Sequence, residues 1–293
     1  MIVLSEATIE PGVSASAQDN ADITEAARLL GCTVYHIPKD FSECETAENA
    51  LWHIPEQRRE TPAIWIGFIP TPERYEATYN EALRKGIRLV NSPEQHLVAQ
   101  EFDRAYPLLH GLTPESLTLT NASEWATALD TPGLPAFVRG SVRSRKAAGW
   151  KACVAQTRSE LQALVDQFFK LEYRSRGKVI VRKLVSLKHQ RFSDQGFPLG
   201  REYRVFIYKE KLLAYGYYWE GDDPLKELSP TDEKGVIGLA SEVARRLGTP
   251  FLAVDIGQLV TNEWISIEVN DAQFAGTCQV PLLRLWNAIL SLE

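Results

Sequence analysis

The sequence predicts a chain of mixed class, α/β in its first third and α+β beyond. Strand-like and helix-like stretches alternate over the first hundred residues, and from about residue 105 hairpins replace that rhythm. The third observation is size: 293 residues suggest about two domains. Charged residues make up 24% and apolar residues 44%, the balance of an ordinary soluble globular protein.

Residues 1–4 form a first short apolar strand. Residues 24–30 read as a helix closed by Gly31, and 32–37 as a second strand stopped by Pro38. The run Ala-Ile-Trp-Ile-Gly-Phe-Ile at 63–69, bounded by Pro62 and Pro70, suits a strand buried on both faces. Residues 72–85 form a helix ended by Gly86, and 87–90 the next strand. Asn91-Ser92-Pro93-Glu94 then caps a further helix. This βαβ succession implies an open, mostly parallel sheet.

Beyond it, 135–138 and 150–155 are short strands, 158–170 an amphipathic helix opened by Thr157, and 179–181 another strand. Residues 203–208 and 212–219 form a hairpin, and 234–247 a helix stopped by Gly248. Residues 251–256 and 264–269 form a last hairpin, and 282–292 a final helix. The stretches 189–198 and 219–228 read as loops.

Several classes are set aside on composition. No apolar run approaches the roughly 20 residues of a membrane span, and the first residues lack the basic start of a secretory signal. Four cysteines and five histidines are scattered without metal-site or disulfide spacing. The expectation is a cytoplasmic protein without zinc. A net charge of −6 argues against a surface built wholly for nucleic acid. Its distribution is uneven, however: residues 138–191 hold 14 Lys/Arg and three acids, a local +11. That segment suits an anion.

Three constellations carry the chemistry. In the last hairpin, period two puts Ile265, Ile267 and Val269 on a buried face and Ser266, Glu268 and Asn270 on the other. A turn at Thr261-Asn262 sets Asp255 directly opposite Glu268. Two carboxylates across a ladder repel unless a cation lies between them. With Asn270 they offer the hard oxygens that Mg²⁺ takes in ATP sites. The competing reading is a solvated hairpin face. Second, Arg139, Arg143, Arg145, Lys146 and Lys151 stand within and beside the small-residue stretch 140–149 without an acid among them, a flap suited to polyphosphate or a solvated basic loop. Arg182-Lys183, after an apolar strand, carries the same ambiguity. Third, Glu202 and Arg204 share one strand face opposite Tyr203, Val205 and Ile207. An inward arginine there would clamp a phosphate or acyl-phosphate oxygen; an ordinary surface Glu–Arg pair is the alternative. No GxxxxGK[ST] and no GxGxxG occurs.

In this order the pieces resemble the ATP-grasp superfamily over residues 87–275. Asn91-Ser92-Pro93 followed by Glu101-Phe102-Asp103-Arg104 is similar to the start of its nucleotide region, with Arg104 in the usual lysine's place. Phe137-Val138-Arg139-Gly140 resembles the phosphate-binding strand, again with arginine for lysine. Val179-Ile180-Val181-Arg182-Lys183 resembles the strand beside adenine, where the family commonly has glutamate. Glu202-Tyr203-Arg204 resembles its acidic-x-Arg strand, and the Asp255, Glu268 and Asn270 segments resemble its metal-binding pair. Arginine at lysine positions is similar to the divergent ATP-grasp clade named for one arginine and two lysines.

The resemblance implies an ATP-grasp fold of two α+β subdomains, 106–185 carrying the flap and 186–293 the metal site. A small Rossmann-like pre-ATP-grasp domain would precede them at 1–105. It implies an ATP-dependent, ADP-forming ligase joining a small-molecule or peptide carboxylate to an amine through an acyl-phosphate. Arg104, Arg139, Lys146, Arg182 and Lys183 would hold ATP; Asp255, Glu268 and Asn270 would hold Mg²⁺; Arg204 would act in catalysis. Two alternatives stay open: a nucleotide or nucleic-acid binding module using the +11 segment, with Trp150, Phe168, Phe169 and Tyr173 as stacking groups, and an ATP-grasp kinase.

Overall fold

The structure is a computed structural model describing residues 1–7, 14–42 and 44–292. It opens with β1 (Ile2–Ser5), α1 (Ala15–Leu29), β2 (Thr33–His36), α2 (Ala47–Ala50), β3 (Thr61–Ile66), α3 (Pro72–Arg84), β4 (Ile87–Leu89), α4 (Pro93–Gln100) and α5 (Phe102–Ala105). The strands pair in parallel in the order β2-β1-β3-β4. The buried run Ala63-Ile64-Trp65-Ile66 in β3 follows from packing on both faces. The first helix begins nine residues earlier than expected, because Ser14 caps it by accepting the Ala17 amide.

β5 (Ser116–Leu119), β6 (Ala136–Gly140), β7 (Val154–Ala155), α6 (Arg158–Phe169), α7 (Glu172–Ser175) and β8 (Val179–Lys183) follow. They give an antiparallel sheet in the order β5-β8-β6-β7, covered by α6. Thr157 and Glu160 form a capping box at the start of α6. Leu161, Leu164, Val165 and Phe168 bury its inner stripe, so Phe168 is core rather than a stacking platform. Only Val154 and Ala155 of the strand expected at 150–155 join the sheet. Gly149, at φ 92°, turns the preceding chain into a short helical bend over Trp150–Ala152.

The last third contains β9 (His189–Phe192), β10 (Pro198–Gly200), β11 (Glu202–Tyr208), β12 (Lys211–Tyr217), α8 (Pro230–Leu247), β13 (Phe251–Gln258), β14 (Trp264–Asp271) and α9 (Leu282–Leu290). β9 and β10 make a small hairpin where a loop was expected. The other four strands form an antiparallel sheet, β12-β11-β13-β14. α8 starts at the Ser229 cap with Pro230 behind it and stops at left-handed Gly248. It buries Val236, Ala240, Val243, Ala244 and Leu247 on Tyr203, Val205, Val254 and Ile256. Each such side chain contributes about 1.5–3 kcal/mol where it is large, which fixes the opposite sheet face, carrying Glu202, Arg204 and Asp255, toward the site. The first sheet shares a core with this one through Val3, Ile64, Phe206, Phe251 and Trp286. No described helix is long and apolar enough to cross a membrane.

Candidate functional site

The site lies where β6 and β8 meet the edge strand β14. Two hollows adjoin there. One, of about 930 Å³, is largely apolar, lined by Phe137, Trp150, Leu184, Val185, Leu187 and Ile267, with Lys183 and His189 among its polar groups. The other, of about 1280 Å³, is the more polar of the two, with Arg143, Arg174, Arg204, Tyr218 and Asn270 facing Asp19, Asn20 and Phe68 from the first sheet's side. Ser144, Lys146, Phe197 and Glu268 line both.

The register brings the paired acids together. β13 and β14 run with Val254 opposite Val269 and Asp255 opposite Glu268. Just beyond, a bulge leaves Ile267 unpaired and sets Ser266 opposite Ile256. This corrects the expected facing of the strand: Ser266 is fully buried, while Ile267 turns to the apolar hollow. The bulge is held from outside the sheet. The Ser266 amide donates to Leu112 O at 2.8 Å, and Arg182 Nη1 donates to Ile267 O at 2.6 Å.

Cations sit between the acids. Arg204 Nε and Nη2 donate to the two Asp255 oxygens at 2.8 and 2.7 Å, and its Nη1 donates to Gly276 O at 2.6 Å. Arg139 Nη2 meets Glu268 Oε1 at 2.8 Å. Lys146 Nζ stands 5.0 Å from the Tyr218 ring and 5.6 Å from that of Trp219. Trp219 Nε1 in turn donates to Glu202 at 3.1 Å. Burial would raise the Glu268 carboxyl, but Arg139, Lys146 and Arg204 outweigh it and hold Glu268 below the ordinary value. Glu202, with no guanidinium of its own, is pushed up by burial. Burial works against the Lys146 charge, yet the neighbouring Tyr218, Glu202, Glu268 and Asp255 leave its pKa raised. The Tyr218 phenol is pushed up to about 12, where it stays neutral at physiological pH: Lys146 pulls down, and burial with the nearby acids prevails.

Arg182 and Arg139 both stack on Phe102, at 5.0 and 5.4 Å. Burial first, and the Arg139 charge second, lower Arg182 to about 9, still protonated at neutral pH. Its donors go to Ile267 O, Ser266 O and Thr113, so Arg182 clips β8 to the bulge. Lys183, next in the strand, points outward at the mouth of the apolar hollow.

Eight of the nine site residues expected from sequence thus gather around one cleft. Arg104 does not. It is exposed, pairs with Glu101 at 2.9 Å and Glu94 at 3.5 Å, and lines neither hollow. Its position on the short α5 turns it to the surface, while its neighbour Asp103 reaches Lys178. Glu202, Tyr218, Trp219 and Phe197 were missing from the expected set. Glu202 was legible as Arg204's face-mate; Tyr218 and Trp219 follow β12 and Phe197 precedes β10, none of them within a motif.

The donor set fits Mg²⁺ together with phosphate and water. Glu268 and Asn270 present hard oxygens to the polar hollow. Both Asp255 oxygens already receive Arg204 hydrogen bonds, and no three His, Cys, Asp or Glu among the described residues converge as a metal cage.

This architecture, an antiparallel flap sheet facing an antiparallel acidic sheet across a cleft, is the ATP-grasp fold. Residues 124–289 match the model of an ATP-grasp domain, the third family of the clade named for one arginine and two lysines, and the chain belongs to that family. The fold is shared with D-alanine–D-alanine ligase from Bacillus anthracis complexed with ATP, at TM-score 0.66 and 14% identity, over 99% of this chain and 96% of that one. A RimK domain ATP-grasp protein from Sphaerobacter thermophilus matches at TM-score 0.61 and 12% identity, over 100% and 99%. The ATP-grasp ligase PsnB, solved with minimal precursor, Mg and ADP, matches at 0.57 and 14%, over 99% and 97%. No curated protein matches the sequence.

Proposed function

We propose that this protein is an ATP-dependent ligase that joins a carboxylate to an amine through an acyl-phosphate. One observation carries the reading: buried acids and cations meet at the junction of an apolar hollow and a polar one. The apolar hollow suits a nucleobase and ribose, and the junction suits a triphosphate. Arg139, Lys146 and Lys183 would hold phosphate oxygens, with Arg182 fixing the floor beneath the base. Glu268 and Asn270 would hold Mg²⁺, which neutralises phosphate charge. Asp255 belongs to the same set but acts first by fixing Arg204, and would bind metal only by exchanging an Arg204 hydrogen bond. The first sheet serves as a Rossmann-like pre-ATP-grasp domain over 1–105, walling the polar hollow. The flap subdomain follows over 106–185 and the metal-bearing one over 186–293.

The substrate carboxylate attacks the γ-phosphorus, the bond to the β-phosphate oxygen breaks, and ADP leaves with that electron pair. The amine lone pair then adds to the acyl carbon, phosphate departs with the C–O pair, and the amine proton passes to phosphate or solvent. Arg204 has guanidinium hydrogens left over from Asp255 and Gly276 for the oxygen that gains charge. No dedicated protein nucleophile is required. The +11 segment does not serve as an open nucleic-acid surface in this reading, since Arg139 and Lys146 turn inward to acids.

The test is ATP binding by calorimetry with and without Mg²⁺. Glu268→Gln should lose the Mg²⁺-dependent part of the affinity while remaining folded, melting lower than wild type because Arg139 loses its buried partner. Wild-type MgATP affinity in that variant would remove Glu268 from the metal site.

A further inference from the structure

The polar hollow contains an acid that the chemistry above does not use. Asp19, in the second turn of α1, lines the hollow opposite the flap. It is half-buried, and among the described residues it has no hydrogen bond or ion pair. Burial raises its pKa, with Glu220 and Asp22 adding to the rise and Arg204 opposing it. An acid in this state favours an incoming cation. Beside it Asn20, only 9% exposed, lines the same hollow, and its side-chain nitrogen has no partner among the described residues. A buried donor left unpaired is costly, and a ligand oxygen would satisfy it.

Gly276 sets the distance between this acid and the catalytic arginine. A Cβ at Gly276 would lie 2.7 Å from Asp19 Oδ2 and 3.7 Å from Arg204 Nη1. Asp19 and Arg204 therefore flank one glycine-sized gap. A carboxylate on Arg204 leaves room for a cationic group on Asp19 only if the two charges are separated by very few bonds. An ammonium on the carbon next to the carboxylate meets that requirement. Arg143, on the flap side, has no ion-paired acid among the described residues, and burial with the nearby Arg174 charge lowers its pKa. The cationic wall thus faces the substrate's carboxylate end, and the Asp19 wall its amine end.

Resting on the ligase reading, we propose that the carboxylate substrate is an α-amino acid, its carboxylate held at Arg204 and its ammonium at Asp19.

The experiment is calorimetric titration of the full chain, saturated with Mg²⁺ and the β,γ-methylene analogue of ATP. The probes are the twenty L-amino acids and D-alanine, each beside the carboxylic acid that lacks the amine. At least one amino acid should bind, and its des-amino counterpart should bind tenfold or more weakly. Asp19→Asn should weaken that amino acid tenfold or more while leaving nucleotide affinity unchanged, and Gly276→Ala should block it by filling the gap. No binding by any amino acid, equal binding of the des-amino acid, or indifference to Asp19→Asn would each overturn the proposal. Binding is read here without turnover, so it stands or falls apart from the ligase chemistry. ADP release driven by a carboxylate without regard to its amine would sink this assignment and leave the ligase intact.

Discussion

Replacing Asp255 by Asn isolates the pair at the centre of the site. In the wild type each Asp255 oxygen accepts one Arg204 donor, at 2.8 and 2.7 Å, with the Asp255 side chain 0% exposed and that of Arg204 7%. Asparagine keeps the shape and one acceptor, but it removes the charge and turns an NH₂ toward a guanidinium N–H. Leaving one member of a buried pair uncompensated costs about 3–5 kcal/mol. Glu268 and the Gly276 carbonyl still face Arg204, which places the effect near the lower end, about 3 kcal/mol. For a chain of this size that corresponds to a melting temperature lower by roughly 6–12 °C. Scanning calorimetry on wild type, Asp255→Asn, Arg204→Met and the double variant decides the matter. The double variant should melt above Asp255→Asn, because it removes the stranded guanidinium. A single variant melting within about 1 °C of wild type, or a double variant showing the full sum of both losses, refutes the reasoning.

Two further outcomes follow from local geometry. At Gly140 a Cβ would lie 2.2 Å from the Arg174 carbonyl oxygen, so Gly140→Ala must push α7 off the flap strand, costing about 1–3 kcal/mol. Gly238→Ala, in α8 with nothing within 4 Å, should instead stabilise by about 0.5–1 kcal/mol, and thermal melts of both variants check the contrast. Burial raises Glu6 from 4.5 to about 6 against the pull of Arg74. The folded chain therefore binds a proton that the unfolded chain has released, and this group's stabilisation is complete below pH 4.5 and lost as pH rises through 6, about 2 kcal/mol in all. Stability measured from pH 4 to 7 should show that decline in wild type and lack it in Glu6→Gln; equal slopes would contradict it.

What was legible in the sequence was set by short-range rules. The expected turn at Thr261-Asn262 put Asp255 across from Glu268, but the pairing holds because the bulge shifts the register by one: on the turn side Ile256 faces Ser266 and Gln258 faces Trp264, one residue off the expected register. The facing of Ile265 and Ile267 failed because the bulge is held by Arg182 and Leu112, contacts distant in sequence. The strand of Arg139 was legible. Its partner Glu268 was not, since that pairing joins separate sheets. Arg104 was misplaced because a motif gives chain order but not the turn of a four-residue helix. Asp19 carries no pattern at all; only the closure of α1 over Gly276 brings it to the cleft.

The acyl-phosphate is tested most directly by oxygen transfer. Carboxylates labelled with ¹⁸O in both carboxyl oxygens are incubated with the enzyme, MgATP and an amine, and the released inorganic phosphate is analysed by mass spectrometry. The account predicts one ¹⁸O per phosphate, in step with ADP and amide formed. Unlabelled phosphate accompanying ADP release would contradict it.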